Sequence, residues 1–216
     1  MAKIHLIGNA HLDPVWLWRW QEGFSEILAT YRSALDRMNE FPDYQFTSAC
    51  AVYYQWIEKM DKDMFDEICM RIKDGRWCVA GGWFLQPDCN IPSGESFARH
   101  GLISHRYFKE KFGVTAKTGY NVDSFGHNAA LPQILKKSGM DNYVFMRPFP
   151  NEQGRDEDVF IWESADGTKV PTYRIPYFYN IDLKKLDKLD LIKEKADKQN
   201  IDLMAFFGVG KHGGGP

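Results

Sequence analysis

Short apolar runs alternate with longer segments of helical periodicity along the chain. The apolar runs are typical of buried strands and predict strands at residues 3–8, 44–47, 77–80, 118–122, 143–146 and 202–209. Between them, apolar residues recur every three or four positions, which predicts helices over residues 24–40, 51–73 (with a break near Asp61), 93–112, 131–138 and 184–199. This alternation is typical of an α/β fold with a parallel sheet and crossover helices.

One segment departs from the alternation. The apolar runs 159–162 and 170–174 flank the dipeptide Asp166-Gly167, which is a signal for a tight turn between paired strands. The sequence therefore predicts a β-hairpin here, with no helix between its two strands.

Polar and aromatic side chains follow most of the predicted strands. In parallel sheets the carboxyl ends of the strands meet at one edge, where binding and catalytic groups collect. The residues at these strand exits are His11 and Asp13, then Trp83, Asp88 and Asn90, then Asp123, Ser124 and His127, then Arg147, and finally Lys211 and His212. We therefore expect the chemistry of the protein at this edge.

His11 and Asp13 are the sharpest pair among these residues. In an extended backbone, residues i and i+2 project to the same face, so an imidazole and a carboxylate can converge on one ion. Nitrogen and carboxylate ligands suit Zn²⁺ or a similar divalent cation. A His–Asp hydrogen bond, or an aspartate that caps a turn, would explain the pair taken alone. With Asp123 available from another strand exit, a metal site is favoured.

The sequence allows two kinds of role for Asp123. It could be a metal ligand, a nucleophile or both, or it could cap the helix that follows its strand. His127 could hold a carboxylate in position or be a buried ring. Arg147 could pair with a catalytic carboxylate or a substrate hydroxyl, or lie on the surface without a role.

Tryptophan is concentrated near the first strand exit. Trp16, Trp18 and Trp20 alternate along the chain, so they do not form one helical stripe. Indole rings pack well against the CH faces of sugars, so one of the three could be a sugar platform, with core packing expected for at least two. Trp83 has the same two readings. The aromatic content of 15% is consistent with sugar stacking.

Composition excludes some classes of function. A formal net charge of −2 with scattered Lys and Arg gives no reason to expect a nucleic-acid partner. No run of 18 apolar residues exists, so no membrane-spanning helix is expected, and the first apolar run is too short for a signal peptide. The sequence thus predicts a cytoplasmic protein. Four cysteines without CxxC spacing are expected to be reduced packing residues.

Four stretches of the sequence together resemble the family 38 glycoside hydrolases, which are metal-dependent α-mannosidases. These stretches are NAHLDPVWLW, AGGWFLQPDCNIPSGESFARH, GYNVDSFGHNAALPQILKKSGM and FFGVGKHGGGP, and they occur in the family's order. The resemblance implies a Zn²⁺-dependent enzyme that cleaves mannose-containing saccharides with retention of configuration. It also implies that residues 1–216 are the N-terminal segment of a (β/α)7-type barrel, truncated at its C-terminal end.

The resemblance also implies roles for individual residues. His11 and Asp13 match two zinc ligands, and Asp123 matches a carboxylate that is both the third ligand and the nucleophile. Trp16 matches the tryptophan on which the sugar stacks, and Arg147 an arginine near the nucleophile. His212 is expected to contact substrate. The fourth ligand is expected beyond residue 216, and the glycine-rich loop 210–216 has no aspartate to act as the general acid.

Two other functions stay open from the sequence. A metal-dependent carbohydrate deacetylase also uses a His-x-Asp pair near a strand end, but needs a metal-bound water rather than a nucleophilic carboxylate. A non-catalytic sugar-binding segment would need Trp16 but not Asp123. Homo-oligomerisation is a further expectation that the sequence leaves open.

Overall fold

The computed structural model describes residues 2–154 and 156–210, in which strands and helices alternate as the sequence predicts. The strands are β1 (Ile4–Ala10), β2 (Phe46–Ser48), β3 (Trp77–Val79), β4 (Thr118–Asn121), β5 (Asn142–Phe145), β6 (Val159–Glu163), β7 (Lys169–Arg174) and β8 (Leu203–Val209). The helices are α1 (Trp20–Glu40), α2 (Ala51–Met60), α3 (Lys62–Lys73), α4 (Gly94–Phe112), α5 (Leu131–Lys137), α6 (Pro150–Gln153) and α7 (Asp187–Gln199).

The element boundaries follow local chemistry. The predicted break in the second helical segment lies at Asp61, whose side chain accepts a hydrogen bond of 2.9 Å from the Met64 amide and so caps α3. Helix α4 starts after Ser93, which accepts from the Ser96 amide, and ends at Gly113 in the left-handed region. Helix α1 begins at Trp20, earlier than predicted, because its first turn is too polar to show the apolar period.

Contacts divide the chain into two compact units, and each is described by itself. Within the described residues, the first unit comprises 2–47, 56–78 and 175–210, and the second comprises 48–55, 79–154 and 156–174. Among these residues, no helix is both long enough and apolar enough to cross a membrane.

The first unit is built around a sheet with strand order β3-β2-β1-β8, in which β1 is parallel to both β2 and β8. An aromatic cluster lies in its core, where the Trp77 ring is 5.0 Å from that of Tyr31 and 4.9 Å from that of Phe46. Gly8 lies in β1 at a position where a Cβ would come within 2.6 Å of the Gln45 carbonyl oxygen, so only glycine fits.

The second unit contains a sheet with order β4-β5-β7-β6. Strands β4, β5 and β7 are parallel, and β6 is antiparallel to β7, which confirms the predicted hairpin. Its buried core consists of Trp83, Cys89, Phe97, Leu131, Leu135, Met140, Tyr143, Phe145 and Val170. The predicted α/β class with parallel strands is therefore confirmed in both sheets.

The four cysteines are free thiols, as expected from their spacing. Cys50 and Cys89 are buried and Cys69 is half-buried, whereas Cys78 is exposed. The prediction that all four are packing residues is therefore wrong for Cys78, which lies on the open face of a short strand.

Candidate active site

His11 and Asp13 lie directly after β1, in the first unit. The His11 amide donates to the Val209 carbonyl over 3.1 Å, which continues the pairing of β1 with β8. The Nε2 atom of His11 is 3.4 Å from Oδ1 of Asp13, and the imidazole is buried while the carboxylate is partly exposed. The predicted convergence of the two side chains is thus observed.

Neighbouring side chains hold this loop in place. Trp18 donates through Nε1 to the Asp13 carbonyl over 2.9 Å. The His11 ring meets the edge of the Tyr179 ring, with centroids 5.1 Å apart. Buried Asn9 donates to the Tyr179 carbonyl over 2.9 Å and to the Phe207 carbonyl over 3.1 Å. These contacts keep the imidazole and the carboxylate in one orientation, which preorganises the pair.

The tryptophans after β1 are not core residues. Trp16 is 56% exposed and Trp20 53% exposed, whereas Trp18 is half-buried. Trp16 packs edge-on against Trp18 at 5.3 Å, and Trp20 lies 6.1 Å from Trp56. The expectation that at least two of them fill the core is therefore wrong, and Trp16 presents an exposed aromatic surface in the loop that follows β1. Trp83, by contrast, is fully buried, and its Nε1 donates to Oδ1 of Asn121 over 2.8 Å, so it is a core residue.

Asp123 and Arg147 form a charged pair in the second unit. The parallel register places Asn121 of β4 opposite Phe145 of β5. Asp123 and Arg147 each follow two residues later, so they leave neighbouring strands at the same level. Nε of Arg147 donates to Oδ1 of Asp123 over 2.6 Å, a short charge-assisted hydrogen bond. Arg147 therefore pairs with a carboxylate, which was one of the hypotheses from the sequence. Helix α5 begins after Ala130, so Asp123 is not its cap.

Two aromatic rings fix the Arg147 guanidinium. Its Cζ atom lies 5.0 Å from the centroid of Phe125 and 5.2 Å from that of Phe149. Contacts of this kind attract the cation to the ring faces and limit its rotation. The guanidinium therefore holds Oδ1 of Asp123 from a fixed position.

His127 contacts the backbone of Arg147 rather than a carboxylate. Its Nε2 is 2.6 Å from the Arg147 carbonyl oxygen, and its Nδ1 is 3.0 Å from the Tyr143 hydroxyl. Burial lowers the pKa of His127 below 6.5, with the backbone hydrogen bond acting in the opposite direction. The sequence hypothesis of a carboxylate partner is thus replaced by a carbonyl partner.

Asp88 and Asn90 serve the structure of their loop. The Asp88 carboxylate accepts from the amides of Asn90 and Ile91 over 2.8 and 2.9 Å, and the Asn90 side chain donates to the Phe125 carbonyl. These hydrogen bonds lower the pKa of Asp88. This loop supports the segment that carries Phe125 beneath Arg147.

Of the three expected metal ligands, the structure brings His11 and Asp13 together. Over residues 2–154 and 156–210, no group of three or more His, Cys, Asp or Glu side chains is placed to hold a metal ion. His212 and Lys211 lie outside the described residues. Sequence reasoning did not identify Tyr143, Asn9 and Tyr179 as residues of this region. An Asn inside an apolar strand is a signal from which Asn9 could have been identified.

The sequence is similar to that of known proteins over its whole length. A family model described as "Glycosyl hydrolases family 38 N-terminal domain" matches residues 1–216. An α-mannosidase G of Dictyostelium discoideum and an α-mannosidase of Saccharomyces cerevisiae are each 29% identical over 100% of this chain. The chain spans only 20% of either relative.

Among solved structures, an α-mannosidase from Enterococcus faecalis V583 superposes with a TM-score of 0.81 at 18% identity. The match covers 98% of this chain and 25% of the other. At such low identity, the superposition shows a shared fold.

Proposed function

The chain belongs to the glycosyl hydrolase family 38 N-terminal domain family, and from this premise we propose that it is part of the catalytic domain of an α-mannosidase. The enzyme would hydrolyse terminal α-mannosidic bonds of a mannose-containing saccharide with retention of configuration. The observation that carries the proposal is Asp123, held by Arg147 at 2.6 Å. A carboxylate fixed in this way has the geometry of an oriented nucleophile.

Asp123 is the proposed nucleophile of a double displacement. An oxygen of its carboxylate attacks the anomeric carbon, the bond to the aglycone breaks, and a covalent glycosyl ester forms. Water then cleaves the ester and regenerates the carboxylate. Arg147 fixes the direction of the Asp123 carboxylate through the short charge-assisted hydrogen bond. No residue of this chain is assigned as the general acid, which protonates the departing oxygen.

His11 and Asp13, with Asp123, are the proposed ligands of Zn²⁺ or another divalent cation. Two ligand atoms at about 2.0–2.2 Å from a tetrahedral ion lie about 3.4 Å from each other. The separation of 3.4 Å between Nε2 of His11 and Oδ1 of Asp13 fits that geometry, and the donor types fit zinc. When bound, the ion would supply Lewis acidity toward the neighbouring 2- and 3-hydroxyls of mannose.

Trp16 is the proposed platform for the sugar ring. Its indole is more than half exposed, and Trp18 at 5.3 Å limits its rotation. Ring stacking would bury the apolar face of the pyranose beside Asp13. A contact of His212 with the substrate stays a prediction.

We propose that residues 1–216 form the N-terminal segment of a (β/α)7-type barrel in a longer enzyme. The parallel sheets support a barrel of this kind, and the chain's 20% share of its relatives supports a segment. The cytoplasmic location and homo-oligomerisation stay predictions.

Covalent trapping tests the proposed nucleophile. The gene product containing this chain, incubated with a fluorinated α-mannosyl fluoride, should accumulate a glycosyl ester on Asp123 that peptide mass spectrometry detects. A deacetylase, which activates a metal-bound water, would form no such ester. Absence of an adduct, or an adduct on a different carboxylate, would contradict the assignment.

A further inference from the structure

In the second unit, a closed series of contacts connects the Asp123 carboxylate with the side chain of the next residue. Arg147 holds the Asp123 carboxylate, His127 contacts the Arg147 carbonyl at 2.6 Å, and Tyr143 contacts His127 at 3.0 Å. Sγ of Cys89 lies 4.0 Å from the Tyr143 hydroxyl and 3.5 Å from Oγ of Ser124, the residue after Asp123. The side chains of Asp123 and of the next residue, Ser124, are thus tied to one network.

The partners of His127 fix its tautomer. A backbone carbonyl only accepts hydrogen bonds, so Nε2 of His127 carries the proton and donates to Arg147. Nδ1 is then the acceptor for the Tyr143 hydroxyl. Burial raises the pKa of Tyr143 well above 10, which keeps its hydroxyl protonated as the donor.

Aromatic packing fixes the orientation of the imidazole ring. Its centroid lies 4.8 Å from that of Phe145 and 5.9 Å from that of Trp162, both in edge-on arrangements. Phe145 and Tyr143 belong to the buried core of the unit. The imidazole therefore joins a rigid core to the Arg147 backbone on the other side.

We propose that His127 is a positioning residue for the glycosidase reaction, acting through the backbone of Arg147 on the direction of the Asp123 carboxylate. The inference rests on the proposed function, in which Asp123 is the nucleophile. His127 touches neither Asp123 nor the sugar in this scheme. It supplies a fixed donor at Nε2, and loss of that donor lets the guanidinium and its carboxylate rotate away from the attacking direction.

Three substitutions separate the donor from the ring. In His127→Gln the side-chain amide nitrogen stands at the position of Nε2 and can still donate to the Arg147 carbonyl. In His127→Asn the amide nitrogen stands at the position of Nδ1 and cannot reach that carbonyl. His127→Phe keeps the ring volume and removes both polar atoms.

The Phe and Asn variants of the full gene product are expected to lose kcat by about ten- to a hundredfold on 4-nitrophenyl α-mannoside, with a much smaller change in KM. The Gln variant should keep kcat within about threefold of wild type, because its side-chain amide can still donate to the Arg147 carbonyl and hold the alignment. The rate of covalent trapping by the fluorosugar should fall in parallel with kcat. The control is His105→Gln, which changes a half-buried histidine of α4 whose Nε2 has no hydrogen-bond partner among residues 2–154 and 156–210, and it should leave kcat unchanged.

A crystal structure of the Asn variant gives a readout independent of turnover, since the Nε–Oδ1 contact of Arg147 and Asp123 should open beyond hydrogen-bonding distance. Equal kcat losses in the Gln and Asn variants, or an intact contact in the Asn variant, would overturn the inference. Wild-type protein that does not hydrolyse α-mannosides would instead contradict the proposed function. If the Phe variant does not fold, the Gln and Asn pair still decides the question.

Discussion

At the scale of single residues, each proposed catalytic side chain has a neighbour that fixes its direction. Arg147 holds Asp123, with Phe125 and Phe149 against the guanidinium. Trp18 holds the backbone of Asp13. Such supporting contacts reduce the reorganisation that a reaction needs, because the groups are already oriented before substrate binds.

Trp16 offers a residue-scale prediction. Trp16→Ala should raise KM for 4-nitrophenyl α-mannoside by about tenfold, since the stacking surface is lost and about 1–2 kcal/mol of ring burial goes with it. The effect on kcat should be smaller. Trp20→Ala is a matched control, with similar exposure (53% against 56%) but packed against Trp56. Steady-state kinetics would contradict the assignment if both variants changed KM equally.

Sequence reasoning reaches some of these residue contacts and not others. The convergence of His11 with Asp13 follows from the two-residue repeat of an extended chain, and the Asp123–Arg147 pair from exits of parallel strands. The partner of His127 depends on where Tyr143 and the Arg147 carbonyl lie in the folded unit. The chain order contains no local signal for such a contact.

At the scale of elements, the spacing of apolar residues and the capping and turn residues predict most of the helices and strands. Ser93 and Gly113 bound α4, and Asp61 divides α2 from α3, because capping residues act locally. Helix α6 has four residues and α1 begins in a polar turn, so neither shows enough apolar period to be predicted in full. The hairpin of β6 and β7 was predictable because its turn residues are specific.

Helix α4 carries a prediction about pH. Burial, with a smaller repulsion from Lys117, lowers the pKa of His105 below 6.5. Its neutral form therefore contributes stability that is fully present above pH 6.5 and is lost as the pH falls through the lowered pKa. The thermal midpoint of wild type should thus fall more between about pH 7 and pH 5 than that of His105→Gln. Calorimetry at the two pH values measures this, and identical falls would contradict it.

At the scale of the whole molecule, each compact unit carries one of the two observed side-chain pairs. His11 and Asp13 belong to the first unit, and Asp123 and Arg147 to the second. Strand alternation and the resemblance at the strand exits predicted the fold class, because both are encoded locally along the chain. A shared ion, by contrast, depends on tertiary geometry, which neither periodicity nor spacing contains.

The central claim is that His11, Asp13 and Asp123 bind one divalent cation, and metal content measures it most directly. Elemental analysis of the purified gene product should find one zinc or similar ion per chain, and His11→Ala and Asp123→Ala should each lose most of it. His5→Ala, a control that changes an exposed histidine of β1, should keep the ion. Full metal content in Asp123→Ala beside loss in His11→Ala would contradict the account.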